Sequence, residues 1–156
     1  MTLKQLRIDK GLTQAKCADI LQVSLRTYKR YESDESTINT VKYQYLVERL
    51  SEYGKIDESH GILSIDQIQK TCSEVFKDYQ VDYCYLFGSY AKGKETETSD
   101  IDLLIAMPIN SMKYFELIEL LRERLKKKID LLDVGQLDNN PQLVNEILKD
   151  GIKIYG

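Results

Sequence analysis

The feature that most constrains this chain is a short apolar segment that ends abruptly in a glycine and a serine. Val81–Phe87 (VDYCYLF) is rich in β-branched and aromatic residues and predicts a β-strand. Gly88 and Ser89 follow at once, and the missing Cβ of glycine lets backbone amides and a hydroxyl approach a phosphate closely. After ten intervening residues, a second predicted strand, Asp100–Ile105, begins with two carboxylates. The region therefore reads as a sheet with polar chemistry at its strand ends.

The two carboxylates at the start of the second strand indicate a cation site. Asp100 and Asp102 are two residues apart, so their side chains point to the same face of a strand. Like charges side by side repel unless a cation lies between them and a ligand, and such hard oxygen ligands suit Mg²⁺. Asp130, on the predicted third strand Ile129–Val134, could complete a site for two ions. Asp133 is the alternative third carboxylate, but it faces the opposite side of that strand.

Charge divides the chain into a basic first part and an acidic remainder. Through Lys55 there are ten basic and seven acidic residues, a net charge of +3, whereas the remaining 12 basic and 18 acidic residues carry −6. We expect a first domain over residues 1–54, a linker over 55–63 with no clear periodicity, and a second domain over 64–156.

The composition also excludes several classes of protein. No apolar run approaches the length of a membrane span, and the N-terminus lacks the apolar core of a signal peptide, so we expect a cytoplasmic protein without membrane association. The three cysteines are widely spaced and odd in number, which favours buried reduced thiols over disulfides or a zinc site. Lys126–Lys128 closes a predicted helix, where cations complement the helix dipole.

The first domain predicts a bundle of short helices. Thr2, Thr13 and Ser24 are predicted N-caps of three helices, and a fourth helix follows at about Thr40–Tyr53. In the third helix the side chains recurring every three residues form a predicted core-facing stripe: Leu25, Tyr28 and Tyr31.

The segment LTQAKCADILQVSLRTYKRYE resembles the lambda-repressor/Cro-like family of helix-turn-helix DNA-binding domains, over about residues 2–53. A short helix with polar tips can enter the major groove, while basic neighbours grip phosphates. The resemblance implies that Arg26, Thr27 and Arg30 face bases, and that Gln14 and Lys29 contact the DNA backbone. Gln22 stands where a glycine is common in the turn. The alternative is a helical bundle whose basic face contacts protein.

The motifs LFGSYAKG, SDIDLLI and KIDLLD together resemble the minimal nucleotidyltransferases of the DNA polymerase β superfamily, over about residues 64–156. The resemblance implies an α+β fold with a mixed sheet, following the all-α helix-turn-helix bundle, and ATP with two Mg²⁺ ions. It implies roles for six residues: Gly88, Ser89 and Lys92 as the nucleotide-binding set, and Asp100, Asp102 and Asp130 as the catalytic, metal-binding carboxylates.

Minimal nucleotidyltransferases of this kind are similar to antitoxins encoded beside HEPN-domain RNase toxins. That resemblance implies transfer of AMP to a tyrosine of a HEPN-type toxin, with operator DNA as a second partner, autoregulation of the operon and a possible homo-oligomer. Three alternatives remain open: a nucleotidyltransferase acting on a small molecule or RNA, a nucleotide-sensing transcriptional regulator without turnover, and a protein that neutralises its partner by binding alone.

Overall fold

A computed structural model describes residues 1–108 and 111–156 and divides the chain into two compact units, Met1–Lys55 and Ile56–Gly156. The fold class predicted above is confirmed: a helical unit precedes a unit with helices and a mixed four-stranded sheet. None of the helices described is both long enough and apolar enough to cross a membrane.

The first unit is a bundle of helices that begin at hydroxyl-bearing caps. Thr2, Thr13, Ser24 and Thr40 each accept a hydrogen bond from a backbone amide of the first helical turn, which satisfies a group that the helix leaves unpaired. The three caps predicted from the sequence are confirmed. The helices are α1 Leu3–Asp9, α2 Gln14–Leu21, α3 Leu25–Ser33 and α4 Val41–Glu52.

The core of the first unit matches the predicted stripe of α3 only in part. Tyr28 and Tyr31 are buried beside Leu46 and Leu50 of α4. Leu25 is 40% exposed, so its predicted core position is wrong. It is the first residue of α3, where the chain has just entered the helix from its cap.

The second unit is a sheet in the order β3-β2-β1-β4. Its central strands β1 and β2 run antiparallel, and β2 runs parallel to β3, with the crossover helix α7 between them that a parallel pair requires. The elements are α5 Ile65–Phe76, β1 Tyr83–Phe87, α6 Gly88–Lys92, β2 Ile101–Ala106, α7 Ser111–Leu125, β3 Ile129–Asp133, α8 Pro141–Asp150 and β4 Ile152–Tyr155.

The two faces of the sheet are covered by different helices. Alternate residues of β2, Ile101, Leu103 and Ile105, lie in a large core together with buried residues of α5 and α7. Leu104 lies on the other face and packs with Phe87 and with Ile147 of α8. Asp102 belongs to this second face, because it is two residues before Leu104 on the same strand.

Residues between the two predicted domains form part of the second unit. Leu63 is buried, Ile56 packs against the same core, and Asp57 pairs with His60 in an isolated β-bridge. The boundary between the units follows Lys55, so most of the segment predicted as a linker, 55–63, is folded onto the second unit.

The three cysteines are free and buried, so their predicted internal position is confirmed. The lysine run behaves differently from the prediction, because α7 ends at Leu125 and Lys127 is completely buried rather than capping the helix in solvent.

Candidate active site

Two of the predicted catalytic carboxylates lie on neighbouring strands at the same level of the sheet. Asp102 of β2 and Asp130 of β3 are register partners in the parallel pair. Adjacent strands are separated by about 4.8 Å, so side chains at one register position on one face are neighbours. On its other side, Asp102 is the register partner of Phe87, the residue directly before Gly88. The sheet therefore brings the Asp-x-Asp motif, Asp130 and the glycine–serine turn to one end of one face.

The electrostatics of Asp102 reflect this crowding. Its pKa is raised to about 6, first by burial and then by the negative charges of Asp130, Asp100 and Glu146, with a hydrogen bond to Asp130 adding to the effect. Neighbouring carboxylates repel each other, and a bound cation relieves this repulsion. The all-oxygen donor set fits Mg²⁺ better than a softer metal.

The described carboxylates do not form a preformed metal-binding site. Within residues 1–108 and 111–156, no three acidic, histidine or cysteine side chains are clustered closely enough to hold a metal ion as they stand. The arrangement is a close pair, Asp102 and Asp130, with Asp100 near enough to act on Asp102 electrostatically. The assignment of Asp100, Asp102 and Asp130 as metal ligands stays a prediction.

Gly88 lies directly against the carboxylate of Asp102. A Cβ at this position would lie 2.8 Å from Cγ of Asp102 and closer still to its Oδ2. Gly88 also has a φ of +71°, which L-residues with a side chain rarely adopt. Both the backbone turn and the position of Asp102 therefore require glycine here.

The segment after β1 is a single turn of helix, α6, which was not predicted from the sequence. Phe87 at its N-cap offers no side-chain hydrogen bond, so the first amides of the helix receive no side-chain cap. Backbone amides at the start of a helix attract anions. This geometry is consistent with Gly88 and Ser89 as phosphate-binding residues, and that role stays a prediction. Tyr90 is buried in the core.

Lys92 ends α6 and forms an ion pair across the site. Its Nζ lies 2.8 Å from Oε1 of Glu146 on α8, and this hydrogen bond is the main cause of a raised pKa for Lys92. Glu146 also contributes to the raised pKa of Asp102. Sequence reasoning missed Glu146, since nothing in the sequence signals contact between residues so far apart.

Asp133, the alternative third carboxylate, is engaged elsewhere. It is the register partner of Ile105 rather than of Asp102. Its Oδ2 accepts a hydrogen bond from the Gly135 amide at 3.0 Å, and its own amide donates to Gln136, which together cap a short 3₁₀ turn after β3. The geometry therefore favours Asp130 over Asp133.

An apolar cavity of about 590 Å³ lies on the same face of the sheet, beside α8. Its walls include Tyr83, Tyr85, Leu104 and Ile147, with Lys153 as the charged residue. Leu104 follows Asp102 by two residues, so the cavity begins about 7 Å along the strand from the carboxylates.

In the first unit, α3 carries four of the five residues predicted to contact DNA, and Gln14 lies on α2. Arg26, Lys29 and Arg30 are exposed, and the Arg30 guanidinium lies 5.2 Å from the centre of the Tyr31 ring. Thr27 is half-buried and receives a hydrogen bond of 2.8 Å from the Ser24 hydroxyl, which helps to cap the helix. The helix thus presents three cations to solvent, while Thr27 is partly occupied by its own cap.

The contacts of α3 with its neighbours also hold Gln14 and the turn in place. Gln14 donates from Nε2 to Glu32 at 3.4 Å. Glu32 in turn forms a bidentate pair with Arg7 of α1, with distances of 2.9 Å and 2.7 Å, which sequence reasoning missed. Gln22 has a φ of +55°, so the turn keeps the left-handed conformation that a glycine would adopt. The DNA-binding roles of Gln14 and the α3 residues stay predictions.

Comparisons with known proteins agree with this division. Residues 70–156 match the family described as polymerase beta, nucleotidyltransferase, and residues 3–42 match a helix-turn-helix family. MJ1379 of Methanocaldococcus jannaschii, named as an inferred protein adenylyltransferase, is 37% identical over 95 residues, covering 58% of this chain and 94% of that protein. MJ0126 of the same organism, with the same name, is 38% identical over 89 residues, covering 56% and 90%.

A solved structure of an inferred minimal nucleotidyltransferase is similar with a TM-score of 0.50 and 21% identity, covering 60% of this chain and 98% of that one. At that identity the likeness is one of fold. The family match spans more than half of the chain and contains the Gly88 turn and the paired aspartates. The chain therefore belongs to the polymerase beta nucleotidyltransferase family, and it carries a helix-turn-helix module ahead of that domain.

Proposed function

We propose that the second unit is a Mg²⁺-dependent enzyme that transfers AMP from ATP to a hydroxyl of a partner protein. The observation that carries the proposal is Asp102, which packs against Gly88 on one side and neighbours Asp130 on the other. A protein acceptor is supported by the names of MJ1379 and MJ0126, which are inferred protein adenylyltransferases.

The residues of the site have separate tasks in this reaction. Asp100, Asp102 and Asp130 would hold Mg²⁺, which stabilises charge on the entering and leaving oxygens when bound. The amides at Gly88 and Ser89 would bind phosphate oxygens. The acceptor oxygen forms a bond to the α-phosphorus, the bond from that phosphorus to the bridging oxygen breaks, and pyrophosphate leaves. Asp130 polarises the attacking hydroxyl or takes its proton.

The acceptor that we propose is a tyrosine of a HEPN-type RNase toxin, which makes this chain an antitoxin. The motifs LFGSYAKG and SDIDLLI, which resemble those of antitoxin nucleotidyltransferases, support this proposal. The first unit would then bind operator DNA through Arg26, Thr27 and Arg30 and repress its own operon. Its three exposed cations on one helix support a DNA-binding role.

Labelled ATP tests the enzymatic proposal. The chain is incubated with Mg²⁺, the protein encoded beside it, and ATP labelled at either the α- or the γ-phosphate. We expect label on the partner from α-labelled ATP alone, and none with the Asp100→Ala/Asp102→Ala double variant. Asp133→Asn is the matched control, because Asn also caps turns, and it should retain transfer. Transfer by the double variant would refute the site assignment, and absence of transfer by the wild type would favour a sensing or binding-only protein.

Salt dependence tests the DNA-binding proposal. Binding to the chain's own promoter should weaken steeply as salt rises and should fall with Arg26→Ala. Lys4→Ala, which removes an exposed cation from α1, should have little effect. Absent or salt-insensitive binding would favour a basic face that contacts protein.

A further inference from the structure

A completely buried lysine lies beside the strands that carry the catalytic carboxylates. The Nζ of Lys127 donates hydrogen bonds to the backbone carbonyls of His60 at 3.2 Å, Gly61 at 2.7 Å and Glu97 at 2.6 Å. We call this arrangement the Lys127 cluster. An ammonium taken out of water is unfavourable unless its protons are hydrogen-bonded, so three acceptors strongly fix both the lysine and the segments that supply them.

The Lys127 cluster connects the segments that precede β2 and β3, the two strands that carry the proposed catalytic carboxylates. Glu97 belongs to the polar loop before β2 and precedes Asp100 by three residues, while Lys127 itself precedes Asp130 by three. Next to the Lys127 cluster, the Ile101 amide donates to the Lys128 carbonyl at 2.9 Å. The starts of β2 and β3 are therefore tied together just before the carboxylates that must share a metal.

A third segment strengthens the same tie. The Gly61 amide donates to Oε1 of Glu97 at 3.1 Å, so Glu97 is held both by its carbonyl and by its side chain. Polar surface loops are otherwise among the more mobile parts of a protein. The loop over residues 93–99 is thus held in place by Lys127, the one lysine of the run Lys126–Lys128 that faces the protein interior.

We propose that Lys127 is a positioning residue of the nucleotidyl-transfer site, which sets the separation of Asp100 and Asp102 from Asp130 through the loop before β2. This inference rests on the proposed function of the second unit. Lys127 does not touch substrate in this role. It acts by holding backbone, so its loss should spread the carboxylates before it unfolds the domain.

Two measurements on the full chain test the proposal. In the free protein, Lys127→Met should accelerate amide hydrogen exchange over residues 97–102, because the loop loses its anchor. Binding of a fluorescent non-hydrolysable ATP analogue with Mg²⁺ should weaken by about 10- to 100-fold, the range typical of lost support around metal ligands. Lys126→Met, which removes an exposed lysine from the same run, should change neither.

Chemical rescue keeps the test decisive even if Lys127→Met folds poorly. Lys127→Ala removes the groups that n-propylammonium contains, so this cation should restore slow exchange at residues 97–102 and most of the analogue affinity. Leu121→Ala serves as a control for stability, because it removes buried volume from α7 on the far face of the sheet. It should lower stability while retaining affinity for the analogue.

The outcomes separate the two proposals. Wild-type affinity in Lys127→Met, or an equal loss in Leu121→Ala, would overturn the positioning role. If the wild type itself does not bind the analogue with Mg²⁺, the proposed function fails. In that case, unchanged amide hydrogen exchange at residues 97–102 in Lys127→Met would still refute the inference that the Lys127 cluster holds this loop in place.

Discussion

Replacing Asp102 by asparagine should make the protein more stable at neutral pH while removing its activity. The side chain keeps its size, so it still fits against Gly88. It loses the charge that burial and the neighbouring carboxylates oppose. A stabilising substitution at a catalytic residue is expected wherever function requires charges that folding disfavours.

The magnitude follows from the pKa of Asp102, which rises from an ordinary value of 3.8 to about 6 in the folded protein. A rise of that size corresponds to about 3 kcal/mol at neutral pH. Asp102 is only partly buried, and solvent screening reduces the expected gain to about 1–2 kcal/mol.

The stability gain of Asp102→Asn should depend on pH. Because the folded-state pKa is raised, the folded state favours the neutral carboxyl group. The wild type carries no penalty from this group below pH 3.8, gains the penalty between pH 3.8 and about 6, and carries all of it above. The advantage of Asp102→Asn should therefore be present at pH 7.5 and absent near pH 3.5.

Urea denaturation of both proteins at the two pH values, followed by circular dichroism, measures the difference. Both proteins share the same first unit, so a difference between them reports on the second. Glu119→Gln, which neutralises an exposed carboxylate on α7, should give little change. Lower stability of Asp102→Asn at pH 7.5, or a gain that does not depend on pH, would refute the electrostatic reasoning.

Two further substitutions and one control variant test other contacts. Gly88→Ala should reduce the proposed AMP transfer by about 100-fold or more, since its methyl group would displace the Asp102 carboxylate. Gly93→Ala, at a φ of +69° with open space around it, should retain transfer despite similar backbone strain of about 1–2 kcal/mol. Glu32→Gln should destabilise the first unit by about 2 kcal/mol in thermal denaturation at pH 7, because it weakens the charge-assisted hydrogen bonds of a largely buried pair with Arg7. Arg7 lowers the pKa of Glu32, so the stability that this pair provides is present above pH 4.5 and is lost as pH falls through the folded-state pKa; a wild type that shows no such loss would contradict this.

The sequence predicted those features that depend on local pattern. The two-residue repeat of a strand indicated that Asp100 and Asp102 share a face, and in β2 Asp102 lies on the face opposite the core residues Ile101 and Leu103. Hydroxyl-bearing residues such as Thr2, Thr13 and Ser24 marked where helices begin.

The features that the sequence did not predict depend on contacts between distant segments. Glu146 reaches Lys92 only because α8 packs beside α6 on the same face of the sheet. Lys127 turns inward because carbonyls from two other segments are available to it, whereas its lysine neighbours remain exposed. A run of similar charges carries no local signal that distinguishes one member from the others.

The crowded carboxylates also bear on how long a molecule of this protein survives. A ligand that binds only the folded state lowers the population of open forms, and proteases act on open forms. An empty copy carries the unrelieved repulsion around Asp102, so it should be digested sooner than a copy that has bound nucleotide and cation. Binding of nucleotide and cation, as proposed for this site, would therefore lengthen the lifetime of the folded protein.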